Sequence, residues 1–303
     1  MPRAVARAPR RARHARLPRR RAQAAARPVA VIVGIVGLGL LGGSLARALA
    51  QVETRVIAVD PDPSVRAEAI ELGVVAEAHA DVGPHLAACD VVVLAAPVAA
   101  IEALLAPVSQ SMHQGAVLTD VAGIKRSVLD AAADAVHPDV RFVAAHPMFG
   151  GESGGFAASR AEVFQGGVVA ICDDRLPFSP AREHEEAIEQ VSALYRSLGA
   201  HVLRCGADAH DAAVAKVSHL PYVVSHAVFE VAAGDALAEA LAGPGFRGAT
   251  RLAAFAYGVQ GEVARRNPHL PAAIDAMIDR LRALRDALAS PDDARRALAP
   301  KRR

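Results

Sequence analysis

Long uninterrupted apolar runs are missing from this chain, cysteine is scarce, and acidic residues are absent from its first 27 positions. Each absence excludes something. The most apolar stretch, VIVGIVGLGLLGGSLARALA at 31–50, is broken by Gly34, Gly37, Gly39, Gly42 and Gly43 before it meets Arg47. A membrane span needs about 20 apolar residues in succession and a secretory signal needs an unbroken apolar core, so the stretch is read as neither. Cys89, Cys172 and Cys205 show no CxxC or metal-ligand spacing. A disulfide framework and a structural zinc site are therefore not expected, no metal is assigned, and a cytoplasmic location fits.

Residues 1–27 hold ten Arg and no Asp or Glu, which leaves 24 basic side chains against all 32 acidic ones elsewhere, a net of −8 for the body. A phosphate backbone calls for a basic face, so no nucleic-acid partner is expected of that body, and no membrane partner either. The leader at 1–27, rich in Ala, Arg and Pro, carries too much charge to fold alone and reads as a disordered extension dispensable to the fold. Organelle targeting and nucleic-acid or membrane-surface contact are its alternative uses.

With 303 residues, 52% hydrophobic and 22% charged, the chain is large enough for two globular domains. Residues 29–36 are apolar and largely β-branched, as a strand buried on both faces should be. Directly after them Gly37-Leu38-Gly39-Leu40-Leu41-Gly42 matches GxGxxG. In that pattern the first glycine allows a tight turn, the second lets backbone approach a pyrophosphate, and the third lets helix pack on strand; Leu40 and Leu41 open the helix whose N–H groups face the phosphates. A second strand at 55–59 ends in Asp60, 18 residues past Gly42. An acid there accepts hydrogen bonds from ribose hydroxyls and repels a 2′-phosphate, which favours NAD over NADP; the competing role is a helix cap before Pro61.

Further strands are expected at 91–95, 116–119, 141–145 and 167–172, with helices at 63–72 and 99–108 between the earlier ones, so the fold expected is α/β, a Rossmann-type doubly wound parallel sheet. Ligands then gather at strand ends, at Ala96-Pro97, Thr119-Asp120-Val121 and His146-Pro147-Met148. REHEEAIEQ at 182–190 reads as an exposed helix face. From about Ala207 the pattern is helical, with Ala- and Leu-rich runs at 208–233, interrupted by Pro221, and at 272–288. The expected division is a leader at 1–27, an NAD-binding domain at 28–206 and a helical domain at 207–303.

HPMFGGESGG at 146–155 is the least generic stretch. It sets one imidazole before a Pro and a glycine-rich loop, where oxidation of an alcohol needs a proton acceptor, and His146 is the candidate base. Glu152 and Ser153 are candidates for the same mouth.

GLGLLGGS at 37–44, DVVVLAAPV at 90–98, TDVAGIK at 119–125, HPMFGGESGG, DAHDAAVAKVSHLP at 208–221 and GFRGATRLA at 245–253 together resemble the prephenate and arogenate dehydrogenase family of tyrosine biosynthesis, over about 29–270. The resemblance implies that His146 takes the hydrogen bond of the substrate's ring hydroxyl, that Glu152 is a gating or substrate-side acid, and that Ser218 and His219 supply the SH of SHLP. It implies that Arg251 grips a carboxylate, for which a guanidinium offers a bidentate fork. It also implies an interlocked helical homodimer and prephenate, arogenate or an amino analogue of prephenate as substrate. Four positions depart from the family pattern: Gly123 for Ser, Gly248 for Asp, Tyr222 for His, and Gln260 for an aromatic residue. Two rivals stand beside this reading, a 3-hydroxy acid dehydrogenase acting through Lys216 and a non-catalytic NAD-binding protein.

Overall fold

The computed structural model describes residues 31–149 and 154–300; the leader at 1–27 and the candidate residues Glu152 and Ser153 lie outside the described residues. β1 (Ile32–Val36) runs into the turn that starts α1 (Leu40–Gln51). Alternation continues through β2 (Arg55–Val59), α2 (Pro63–Glu71), β3 (Glu77–His79), β4 (Val91–Leu94), α3 (Val98–Gln110), β5 (Val117–Asp120), α4 (Arg126–Ala135) and β6 (Arg141–Val143). These six strands are parallel in the order β3-β2-β1-β4-β5-β6, and the order reverses between β1 and β4. Side chains of β1 alternate between two covered faces. Val33 and Ile35 join Leu45 and Leu49 of α1 in one core, while Val36 joins Ile101 and Leu105 of α3 and Leu129 of α4 in the other.

The strand expected over 141–145 is in fact two. After Val143 the chain steps aside into β7 (Ala145–Pro147), so His146 lies inside a short strand and not in the loop beyond one. The strand expected at 167–172 is β8 (Val168–Cys172), and it lies outside the parallel sheet. It pairs antiparallel with β7 and parallel with β9 (His201–Cys205), forming a second sheet of three strands. The cause is local to Ala145: its N–H donates to Asp120 Oδ1 at 3.2 Å and its carbonyl accepts from Lys125 Nζ at 2.6 Å. With both backbone groups tied to the end of β5, Ala145 has no ladder position left in the larger sheet. Between β8 and β9 lies α5 (Ala181–Ser197), whose charges at 182–190 are mostly exposed as expected, with Ala187, Ile188 and Val191 turned to the core and His184 buried as well.

The remainder is helical: α6 (Ala207–Val214), a π-helical turn at Ala215–His219, α7 (Leu220–Ala232), α8 (Ala236–Ala240), α9 (Pro244–Thr250), a 3₁₀ turn at Arg251–Ala254, a second π-helical turn at Tyr257–Gly261, α10 (Glu262–Arg266), α11 (Leu270–Ala287) and α12 (Pro291–Ala297). The interruption expected at Pro221 is a π-helical turn: the helix stays continuous, but it widens over Ala215–His219 just before the proline, which cannot donate an N–H to the preceding turn. The core of this segment is small, built on Tyr222, Ala264 and Leu270, while Val217, Val231, Leu237 and Leu241 are largely exposed. Among the described residues no helix is long and apolar enough to cross a membrane.

Candidate active site

A cleft of about 350 Å³ opens where the strand order reverses, beyond the carboxyl ends of β1 and β4. Gly39, Leu40 and Leu41 form one wall. The turn after β4 adds Ala96 and Pro97, the loop after β5 adds Val121 and Gly123, β7 adds His146, and the helical segment adds Ser218, His219, Phe255 and Gln260. Both π-helical turns reach this cleft, as such turns often do at sites.

The glycine turn is built for a nucleotide. Gly37 has φ +96°, and a Cβ there would stand 2.5 Å from the Ala95 carbonyl oxygen; a Cβ on Gly42 would stand 1.9 Å from the Gly37 carbonyl oxygen. At Gly39 a Cβ would meet nothing within 4 Å, so backbone is open to a phosphate. Gly39 caps α1 with no side-chain hydrogen bond, which leaves the first-turn N–H groups for an anion. The turn thus offers the open backbone and free N–H groups that a dinucleotide pyrophosphate needs. Asp60 ends β2, and its Oδ2 accepts from the Leu38 N–H at 2.7 Å. The helix-capping role belongs to Asp62, which accepts from the Ser64 N–H at 2.8 Å.

His146 is half-buried, and its Nδ1 lies 2.9 Å from His210 Nε2. His210 Nδ1 lies 2.8 Å from Asp211 Oδ1, and the Asp211 carboxylate also accepts from the backbone N–H groups of Lys125 and Arg126, each at 2.9 Å. Burial raises the Asp211 pKa, but the hydrogen bonds from His210 and the two amides outweigh it and hold the carboxyl below its ordinary range. On the cleft side of His146, a Cβ on Gly123 would stand 3.6 Å from Nε2. The missing side chain leaves that nitrogen uncovered.

His219 is 1% exposed and sits in the wide turn. Asn267 Nδ2 donates to its Nδ1 at 3.0 Å and to the Asp211 carbonyl at 2.8 Å, while Asn267 Oδ1 accepts from the His269 N–H. His219 Nδ1 is therefore an acceptor, and the neutral ring carries its hydrogen on Nε2. Burial pushes the His219 pKa down to about 4, with Asp211 opposing and His210 assisting. Burial, then the charges of His210, Lys125 and His219, holds His146 well below 6.5.

Both imidazoles are thus neutral in the folded chain, with a consequence for acid stability. Between about 4 and 6.5 the unfolded chain binds the proton that folded His219 refuses, so stability falls as pH falls through that window. His219 alone contributes roughly 2 kcal/mol of loss between pH 7 and pH 5, a drop of about 5 °C in melting temperature. Equal melting temperatures at the two pH values would contradict neutral burial of this ring.

Other residues fall elsewhere. Arg251 is exposed, begins the 3₁₀ turn, and is not among the residues lining the cleft, although Phe255 four positions on is. Thr119 and Asp120 are fully buried and do not line the cleft, which Val121 of the same segment does. Lys216, which a 3-hydroxy acid dehydrogenase would need in the site, is exposed and borders a different groove beside His269 and Arg280. Tyr222 is buried in the small helical core and Gly248 is exposed, so of the four departures only Gly123 and Gln260 touch the cleft. His210, Asp211, Asn267 and Lys125 had no place in the reading of the sequence. His210 and Asp211 lie in DAHDAAVAKVSHLP and Lys125 ends TDVAGIK, with nothing local to pair either segment with position 146.

Known proteins agree with this architecture. A family model described as the prephenate dehydrogenase nucleotide-binding domain matches residues 45–204, and one described as the prephenate dehydrogenase dimerization domain matches residues 206–298. A cyclohexadienyl dehydrogenase of Zymomonas mobilis is 29% identical over 269 residues, which is 86% of this chain and 89% of that protein. The crystal structure of Synechocystis arogenate dehydrogenase has a TM-score of 0.74 at 26% identity, covering 88% of this chain and 96% of that one. A prephenate dehydrogenase from A. aeolicus, solved with hydroxyphenyl propionate and NAD+, shares the fold with a TM-score of 0.77 at 22% identity, covering 87% and 92%. With both halves of the chain matched in order and the nucleotide turn intact, the chain belongs to the prephenate/arogenate dehydrogenase family of NAD-dependent oxidoreductases.

Proposed function

We propose that this chain performs the oxidative decarboxylation of prephenate or arogenate in tyrosine biosynthesis, with His146 as the base. The observation that carries the assignment of the base is an imidazole nitrogen, His146 Nε2, left open on its Gly123 side at a cleft whose opposite wall is a dinucleotide turn. NAD, when bound, supplies the hydride acceptor. His146 Nε2 takes the proton of the ring hydroxyl as hydride leaves the carbinol carbon. The bond to the ring carboxylate then breaks, its electron pair enters the ring, and carbon dioxide departs. Aromatisation drives the step, so a weak base suffices. Gly37, Gly39, Leu40, Leu41, Gly42 and Pro97 would hold the cofactor, and Asp60 would accept its ribose hydroxyls. Ser218 and His219 would donate to substrate oxygens, and His219 Nε2–H suits an acceptor where His146 Nε2 suits a donor. Arg251 and Glu152 keep the carboxylate-gripping and gating roles that the resemblance implies.

The reading includes a division at 206/207, with 28–206 for cofactor and 207–303 for closing the cleft and pairing two subunits. The apolar side chains that the helical segment leaves exposed, Val231 at 89% and Leu241 at 74% among them, support a homodimer. A cytoplasmic location accords with free thiols at Cys89, Cys172 and Cys205.

Steady-state NADH formation with prephenate, arogenate and the amino analogue of prephenate, each with NAD and with NADP, tests the assignment. Turnover with prephenate or arogenate is expected, faster with NAD than with NADP. Absence of NADH with both substrates would remove it.

A further inference from the structure

Beyond the cofactor turn and the substrate cleft, two buried titratable groups stand behind His146. Asp211 is 1% exposed and His210 is 4% exposed, and neither lines the cleft. A buried carboxylate next to a buried imidazole carries an electrostatic cost unless its bonds are satisfied, and here they are: two backbone amides at the start of α4 and one ring N–H point at Asp211.

With both rings neutral, the hydrogen count along this chain has one solution. The carboxylate only accepts, so His210 Nδ1 must bear a hydrogen. A neutral imidazole has one N–H, so His210 Nε2 is a bare acceptor. It faces His146 Nδ1 at 2.9 Å, so the hydrogen between the two rings belongs to His146. His146 Nε2 is then the unprotonated nitrogen, and it is the one on the Gly123 side. We propose that His210 and Asp211 are positioning residues that lock His146 in the Nδ1–H tautomer, so that its basic nitrogen faces substrate, and that they steady the imidazolium formed when Nε2 takes a proton. The logic is that of a carboxylate orienting a catalytic histidine through its far nitrogen, lengthened here by one imidazole. No proton need pass along the chain; the hydrogens between 146, 210 and 211 stay where they are through the step.

The inference rests on the proposed role of His146 as base. Asp211→Asn tests it with the least change of shape. Because Oδ1 also accepts from the Lys125 N–H and Oδ2 from the Arg126 N–H, the amide must oppose one of them: turned toward His210 Nδ1 it shifts that ring's hydrogen to Nε2 and forces His146 to bear its own on the substrate side, and turned away it still removes the charge that steadies the imidazolium. The expected result is a fall in kcat of at least about 100-fold with KM for NAD and for substrate within about threefold. His210→Gln, whose amide oxygen can accept from His146 Nδ1, should keep about tenfold more kcat than His210→Ala. Nitrogen-15 spectra of the histidine rings provide a readout that needs no turnover: wild type should show a His146 signal of the Nδ1–H form.

An Asp211→Asn enzyme with kcat within threefold of wild type, or a wild-type His146 in the Nε2–H form, overturns the proposal. If wild type makes no NADH from prephenate or arogenate, the functional reading fails on its own, and the ring spectra still decide the tautomer.

Discussion

His146→Ala is expected to lower kcat by about 10³-fold, within the range that a positioned general base contributes, while leaving NAD affinity within about threefold. The separation follows from geometry. The pyrophosphate cradle is the turn between β1 and α1, whereas His146 enters from β7 in the other sheet. Binding of NAD followed by titration calorimetry, next to steady-state kinetics, measures the two quantities separately. A variant that keeps a tenth of the activity would move the base elsewhere, and His219 would be the nearest alternative in the same cleft.

The same residue sets the acid limb of the rate. Three groups bear on it besides burial: His210 from α6, Lys125 from the loop before α4 and His219 from the wide turn. Burial and these three hold His146 well below 6.5, so kcat should stay level through pH 6.5 and fall only below it. An acid limb centred at or above 6.5 would mean that the bound ring is more basic than its surroundings in this structure allow.

How much of this was legible in the sequence depends on the range of the interaction concerned. The glycine turn, Pro97 and the strand that leads to His146 were legible because each is encoded by consecutive residues: apolar β-branched runs, a GxGxxG turn, a Pro. The second sheet was not. β7 has three residues, and its pairing with β8 is a contact between distant segments that no local periodicity reports. β9 escaped for a related reason, since His201, Leu203 and Arg204 are exposed and the strand lacks a buried run. The partnership of His146 with His210 spans 64 residues and joins a strand to a helix of the following segment. Arg251 was reached from residue type and resemblance alone; it begins an exposed 3₁₀ turn, four residues before Phe255, which lines the cleft.

Lys125 is the instance with the largest structural consequence, because a lysine in a sequence reads as solvated surface and this one is 0% exposed. Its ammonium meets the equally buried Asp120 Oδ2 and the Ala145 carbonyl, and Asp120 accepts in turn from the Ala122 and Ala145 N–H groups. Lys125→Met keeps the stem and removes the charge, which leaves the Asp120 carboxylate buried with backbone donors alone and the Ala145 carbonyl without its partner. Breaking a buried pair from one side costs about 3–5 kcal/mol, so the melting temperature should fall by about 10 °C. The loss should not stop at stability, because Ala145 directly precedes His146 and its backbone is what turns β7 out of the parallel sheet. We expect kcat to fall in Lys125→Met even at temperatures where the variant is fully folded. Removing the second charge as well, in Lys125→Met with Asp120→Asn, should recover part of the lost melting temperature, since an uncharged pair needs no buried counterion. It should recover little of the rate, because the tie from Nζ to the Ala145 carbonyl is still gone. A single variant as stable as wild type would show that the pair is not what holds β7 in place, and full recovery of kcat in the double variant would free the position of His146 from Lys125.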